Sequence, residues 1–563
     1  MKKQLRFTAI SNIITLLFSL FVFKPFFEEL DDTVIAMIAE GAFGKRDAHL
    51  VYSNYLLGTI YKFMQSIMPR VRWHSVIQYF FLFIGFSIVT YVLVHYKKGE
   101  MLSVILLLAA GYETYVSLQF TKTAAFTAGC GLVVLLILIR DYLNGMKEFP
   151  DKLERTVITI VSVVLFIYGC LLRFEGAAIA VCVLGPLGLC SMIRFAISNR
   201  QEKKWIIYFK CFIPLLVLLI VMPISDRLIY ASNDGWSSFV DFNDARTEMV
   251  DRRYDAFDYT KNSDTLKAMG VSQNDAEMYL TYMFPDTEEI GADDIRNIIA
   301  AQPPKENGFK LLREWIKNMY DTYFAINALV IGMVMLMGLL VIKCGKRLIP
   351  EYIIQMAALF TMLAYFQYSG RWSHRLSFAL LLVEILATIY FLIEEPQEVF
   401  PSNKADSGII ILITVVLPFC LIGQWLGNRF DYNSYMRARE TVNYDILQDY
   451  VEENQNTLFC ADMFTFQDIF EYKVFVPVQE GDCQNVITCG SWLFNSPIVN
   501  AQLSNYGYKS PVQALKSGND NVRLIDNNCP EKKMLYLTEH DDGHNYSVEQ
   551  DENIGGYNIY IVK

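Results

Sequence analysis

Two adjacent carboxylates, Asp31 and Asp32, follow a long apolar segment in the run FFEELDDTVIAM. A carboxylate beside a hydroxyl can take its proton, which is general-base chemistry, and paired carboxylates can also ligate a divalent cation. A plainer role competes with both. Negative charge stabilises the positive end of a helix dipole, and Asp32 is placed to cap a helix opening at Thr33. Further along, ionisable residues recur in short polar turns between long apolar runs: Glu113, Lys122 in QFTKTAA, Arg173 and Glu175 in LLRFEGA, and Arg371, His374 and Arg375 in YSGRWSHRLSF. Arginine presents a planar fork matched to phosphate oxygens and lysine a point charge, so Lys122, Arg173, Arg371 and Arg375 are candidates to hold a phosphate. Each alone is equally a snorkelling side chain that reaches lipid headgroups. The run FNDARTEMVDRRYDAFDY adds Asn243 and Arg246 at helical spacing, either on a solvated face or as a roof over a polar cavity. His374 reads as a cavity residue or as a satisfied interfacial histidine.

What must position these residues is membrane-embedded. Of the 563 residues, 53% are hydrophobic and only 19% charged, against about 25% charged in soluble proteins. A hydrocarbon core about 30 Å thick takes a helix of about 20 apolar residues. Eleven stretches fit, at 7–24, 75–96, 101–119, 122–140, 156–172, 176–196, 206–224, 322–343, 351–367, 376–393 and 407–426. The expected class is therefore a polytopic α-helical membrane protein with about eleven transmembrane helices. The first stretch follows MKKQLR but lacks a small-residue cleavage site, so it reads as an uncleaved helix. With the N-terminus cytoplasmic, Lys97, Lys98, Arg140, Lys147, the basic residues from Arg194 to Lys204 and those from Lys343 to Arg347 all fall inside, as the positive-inside rule requires. That orientation puts every candidate residue at the external ends of spans or in external loops, in a multi-pass protein of the cell membrane.

Three parts are then external. Residues 25–74 hold two apolar stretches too short to span, expected as helices on the membrane surface. The loop 225–320 reads as mostly helical, and 427–563 as a small α/β or α+β domain, with 1–426 forming the membrane domain. Strands are expected in NTLFCADM, YKVFVPV, NVITCGS, KKMLYLTEH and YNIYIVK. The loop 225–320 carries 18 acids against 11 bases and the region 427–563 carries 20 against 10. With a net charge of -10 and no basic face, nucleic acid is excluded as a partner. Cys460, Cys483, Cys489 and Cys529 would all be external, free to pair or to remain buried thiols, and none has a CxxC spacing. The spans read as clean in their middles apart from the Gly185–Pro186 pair.

Asp31–Asp32 in FFEELDDTVIAM, the surface helices after it, many spans, cationic outer mouths and an external C-terminal unit together resemble the GT-C glycosyltransferases. The run FNDARTEMVDRRYDAFDY is similar to one in uncharacterised bacterial membrane proteins of that type. The resemblance covers residues 1–426. It implies transfer of a sugar from a polyprenyl-phosphate-linked donor at the external face to a glycan, lipid or protein acceptor. On it, Asp31 or Asp32 acts on the acceptor and Lys122, Arg173, Arg371 and Arg375 hold the donor phosphate. Glu113, Glu175, Asn243, Arg246 and His374 complete the cavity, and a divalent metal is left open. No WWDYG-like segment and no MIR-like region is present. A surface polysaccharide polymerase or ligase, leaning more on Arg246, a lipid-linked sugar flippase and a non-catalytic receptor are the alternatives.

Overall fold

The computed structural model describes residues 2–96, 99–198, 205–252, 254–302, 313–314, 317, 349–369, 373–394, 421–428, 444–469, 473–541 and 543–563. Among the described residues, nine helices are long and apolar enough to cross a membrane. They are α1 (Lys2–Val22), α4 (Trp73–Leu93), α5 (Gly99–Gly111) extended by a π-helical turn (Tyr112–Val116), α6 (Phe120–Leu143), α7 (Lys152–Leu172), α8 (Phe174–Ser198), α9 (Ile206–Ala231), α14 (Ile349–Tyr368) and α15 (His374–Glu394). Each falls on an expected span. The expected span 322–343 lies outside the described residues, as does 407–426 up to residue 420.

Burial orders the bundle. The apolar window of α6 is fully buried and that of α15 94% buried, whereas that of α9 is 11% buried, so α6 and α15 form the centre and α9 the rim. In lipid there is no hydrophobic force between helices, so close backbone approach at small residues does the packing. At Gly131 on α6 an added Cβ would sit 2.3 Å from the carbonyl oxygen of Ser162 on α7. The spans are not all clean. Glu384 lies fully buried in α15 and accepts a hydrogen bond from Gln355 of α14 at 2.8 Å. It stands in the run LLLVEILATIY, so the expectation of spans clean in their middles fails at this position.

One end of the bundle is capped. The two-residue strands β1 (Phe26–Phe27) and β2 (Ser117–Leu118) pair in parallel and tie the chain after α1 to the end of the π turn. The two short helices that follow differ. α2 (Leu30–Glu40) is buried from Asp32 to Glu40 and is no surface helix. α3 (Tyr55–Ile67) is amphipathic, with Leu56, Ile60, Phe63 and Ile67 exposed along one stripe. The loop after α9 folds as expected into helices: α10 (Asp234–Thr247), a π turn (Glu248–Arg252), α11 (Tyr259–Ala268), α12 (Gln273–Leu280) and α13 (Ala292–Ala300). Their starts are chemically marked, by the Asn233 side chain on α10 and by a Ser272–Asp275 capping box on α12.

The C-terminal part is a five-stranded sheet in the order β4-β3-β5-β7-β6. β3 (Leu458–Ala461), β4 (Val486–Thr488) and β5 (Val522–Ile525) are parallel, and β7 (Tyr557–Val562) runs antiparallel to β5 and forms a hairpin with β6 (Val548–Ile554). Helices α16 (Tyr444–Glu453), α17 (Met463–Ile469), α18 (Pro497–Asn505), α19 (Pro511–Lys516) and α20 (Pro530–Glu539) complete it. Three expected strands are thus β3, β4 and β7. KKMLYLTEH is instead helix α20, which opens on Pro530 and buries Lys533, Met534, Tyr536 and Leu537 at helical spacing. YKVFVPV forms no strand in its described residues, 473–478. All nine described cysteines are free thiols, including Cys460, Cys483, Cys489 and Cys529.

This unit is not tethered loosely. One apolar core runs without a break from Val34, Ile38 and Tyr61 through Phe242 and Ile295 to Leu458, Ile487 and Leu524. Beside it Arg72 and Glu40 form a buried bidentate pair at 2.8 and 3.1 Å. Arg72 also donates to the Lys473 carbonyl at 2.5 Å, and Glu40 accepts the Val478 N–H at 3.0 Å.

Candidate functional site

The helix α2 begins right after Glu29, so its first turn presents Asp31 and Asp32 about 100° apart around the axis. They go to different places. Asp31 accepts from Arg375 Nη1 at 2.6 Å and from the indole Nε1 of Trp492 at 3.0 Å. Asp32 turns into the protein, wholly buried, where it meets His74 Nε2 at 2.9 Å and accepts from Gln78 at 3.1 Å and the Phe120 N–H at 3.2 Å. It does not cap its own helix. Burial raises the Asp32 carboxyl above its usual range, and those three partners offset part of that rise.

Asp31 opens onto a cavity of about 560 Å³. Its walls include Arg173 and Glu175 from the α7–α8 junction, Asn243 and Asp244 from α10, Asp251 and Tyr282 from the loop, and Arg375 from the first turn of α15. Arg173 pairs with Glu175 at 2.8 Å, and its guanidinium stacks 4.7 Å from the Tyr52 ring and 5.0 Å from that of Phe120. That stacking holds the guanidinium in place at the cavity wall. Burial pushes the Tyr52 hydroxyl up to about 12, so it is a neutral donor.

Of the residues selected from sequence, Asp31, Arg173, Glu175, Asn243 and Arg375 share this cavity. Arg246 lies behind the wall, buried, bound by its Nη2 to Asn243 at 2.8 Å and set 5.9 Å from the Tyr282 ring. Arg371 lies outside the described residues.

Lys122, Glu113 and His374 go elsewhere. Lys122 is fully buried, paired with Glu28 and, at 2.8 Å, with Glu113, while His374 Nδ1 meets the other Glu28 oxygen at 2.6 Å. Lys122, a candidate for the donor phosphate or else for snorkelling, is therefore the cation of an internal cluster. Burial acts to raise Glu28, but Lys122 and His374 outweigh it and hold the carboxyl at about 2. Donor atoms of Glu28, Glu113 and His374 lie within 4.8 Å of one another, a spacing a metal could use. The Lys122 ammonium already bridges both carboxylates, so these residues do not fit a divalent ion.

Two further residues bear on Asp31, and only the second escaped the sequence reading. Glu29, which precedes Asp31 and Asp32 in the acid run, is raised by burial and by its acidic neighbours to about 7, with Arg375 opposing. Its clue was the acid run itself, in which like charges disfavour ionisation. Trp492 comes from the loop after β4. That loop is seated on Tyr282: the Ser491 N–H donates to its carbonyl at 2.9 Å, and a Cβ on Gly490 would lie 2.0 Å from the same oxygen. Ser491 holds φ at 72°, which turns the indole towards Asp31. No local signal marked it. Compared with known proteins, this chain matches no family model, no curated protein and no solved structure.

Proposed function

We propose that this chain is a membrane glycosyltransferase of the GT-C kind, which moves a sugar from a polyprenyl-phosphate-linked donor to a glycan, lipid or protein acceptor, with the capped end of the bundle outside the cell. The observation that carries this reading is Asp31, held by two directed donors at the edge of a polar cavity that also receives Arg173. The acceptor hydroxyl gives its proton to the Asp31 carboxylate as its oxygen bonds to the anomeric carbon. The bond from that carbon to the phosphate oxygen breaks, and the phosphate departs with the electron pair. Cationic forks beside the developing negative charge lower the barrier, most of all where water is scarce. Arg173 takes that part, and Arg375 keeps the Asp31 carboxylate aimed. The activated phosphodiester supplies the free energy.

The test is sugar transfer by purified protein in lipid from a panel of polyprenyl-phosphate donors, with wild type beside Asp31→Asn. Transfer that vanishes in the variant supports the reading. Donor binding without transfer in wild type removes it.

One observation favours a second reading. Glu384, buried mid-span against the neutral amide of Gln355, is the kind of intramembrane carboxyl that transport proteins use. A lipid-linked sugar flippase is the alternative, and donor movement between leaflets without transfer would establish it.

A further inference from the structure

The described part of YKVFVPV, residues 473–478, is not the expected β-strand but an irregular segment, bent at Val474 and Phe475 and pinned at both ends by the buried Glu40–Arg72 pair. Between the pins the segment faces two ways. Val474 is 3% exposed and belongs to the apolar core of the transmembrane bundle. Phe475 and Val476 point outwards, 44% and 55% exposed. Large apolar side chains held in fixed, outward positions cost solvation free energy unless something apolar meets them.

Their depth identifies what meets them. The Phe475 ring lies 5.2 Å from that of Tyr79. Tyr79 is six residues into the membrane-crossing helix α4, which opens at Trp73, so it sits about 9 Å down the helix axis at 1.5 Å per residue. A second span agrees. The Tyr79 hydroxyl donates to the carbonyl of Tyr115, next to last in the span Gly99–Val116. Phe475 is thus level with residues inside the ends of two spans, and Phe80, beside Tyr79 on α4, is 57% exposed at the same level. That continuity with a lipid-facing helix selects acyl chains, rather than a protein, as the partner.

We infer that Phe475 and Val476 form a membrane-penetrating wedge, by which the C-terminal α/β unit inserts into the interfacial zone of one bilayer leaflet. The wedge adds a lipid contact to a unit otherwise built like a soluble domain, and it fixes the height of the sheet above the membrane. It depends on the chain spanning a membrane and not on the transferase reading.

The experiment uses the full chain in phospholipid nanodiscs, with the photo-crosslinking residue p-benzoylphenylalanine at position 475 or 476. The control position is Leu535, 47% exposed on α20, a helix that packs chiefly on α12 and β6. Irradiation and mass spectrometry should find phospholipid adducts at 475 and 476 and none at 535. Lipid adducts missing at 475 and 476, or equally abundant at 535, overturn the wedge, as do crosslinks only to protein. A second measurement covers the case in which the bulky probe disturbs the segment. Phe475→Trp should add fluorescence that is quenched more by lipids brominated near the glycerol end of the acyl chain than by lipids brominated near its tip, whereas Leu535→Trp should be quenched by neither. An unquenched tryptophan at 475 also overturns the proposal.

Discussion

Asp31 on α2 and Trp492 after β4 are joined by one hydrogen bond, indole Nε1 to carboxylate oxygen at 3.0 Å, across 461 positions of sequence. The bond ties the α/β unit to a carboxylate that lines the cavity. Arg375 occupies the other Asp31 oxygen, so the carboxylate has no freedom to turn away. Asp31→Asn keeps the shape and removes the charge. It is expected to lower transfer by about a hundredfold or more, the usual worth of a general base, with an unchanged melting temperature. Wild-type rates in that variant would take Asp31 out of the chemistry.

Asp32 should fail differently. Asp32→Ala would leave Gln78, His74 and the Phe120 N–H without their buried acceptor, at about 1–3 kcal/mol for such orphaned groups. The expected readout is a lower melting temperature in detergent, with activity falling only as far as folded protein falls. An unchanged melting temperature would contradict the burial argument.

Glu29 gives stability a pH dependence whose sign is fixed. Its carboxyl holds a proton up to about 7 in the folded chain against an ordinary value of 4.5. The folded state therefore binds more protons between those limits, and stability through this group falls as pH rises from about 4.5 to about 7. Glu28 acts outside that window, because its value of about 2 makes its contribution disappear only under acid. Denaturation midpoints measured across that range should slope downwards in wild type, and Glu29→Gln should flatten the slope. An identical slope in both proteins would assign it to other groups.

Gly490→Ala places a Cβ against the Tyr282 carbonyl, which cannot recede without breaking the Ser491 bond. The loop must move and carry Trp492 off Asp31. Transfer should fall by at least as much as in Trp492→Phe, which keeps the ring and loses only the N–H. A fully active Gly490→Ala protein would mean that the indole has no positioning role.

The buried Glu40–Arg72 pair is expected to be costly to break from one side, because the partner left behind is an unpaired charge. Glu40→Ala should destabilise by about 3–5 kcal/mol. Because the same groups pin residues 473–478, limited proteolysis should then release the α/β unit at lower protease doses than in wild type.

The physics of each feature set how much of it could be read in advance. Nine spans were legible because twenty apolar residues in a row have few other uses, and Arg173 and Arg375 were legible because a charge in a very short turn is expensive. Asp31 could not be told from Asp32, since a step of one residue around a helix decides which carboxylate meets the cavity and which meets His74. Lys122 could not be told from a lipid-binding cation without knowing that Glu28 folds back onto it. KKMLYLTEH reads as a strand and folds as a helix, because a short apolar run carries both periods. Trp492 left no trace, since its partner lies at the other end of the chain.

The unbroken core has a consequence for biosynthesis. Val34, Ile38 and Tyr61 leave the ribosome some four hundred residues before Leu458, Ile487 and Leu524, which belong to the same buried core. Throughout that interval the first loop presents an unfinished apolar face beside spans already in the bilayer. A nascent chain stopped before the sheet therefore lacks half of this core, and burial of the first loop waits on strands that come late in the sequence.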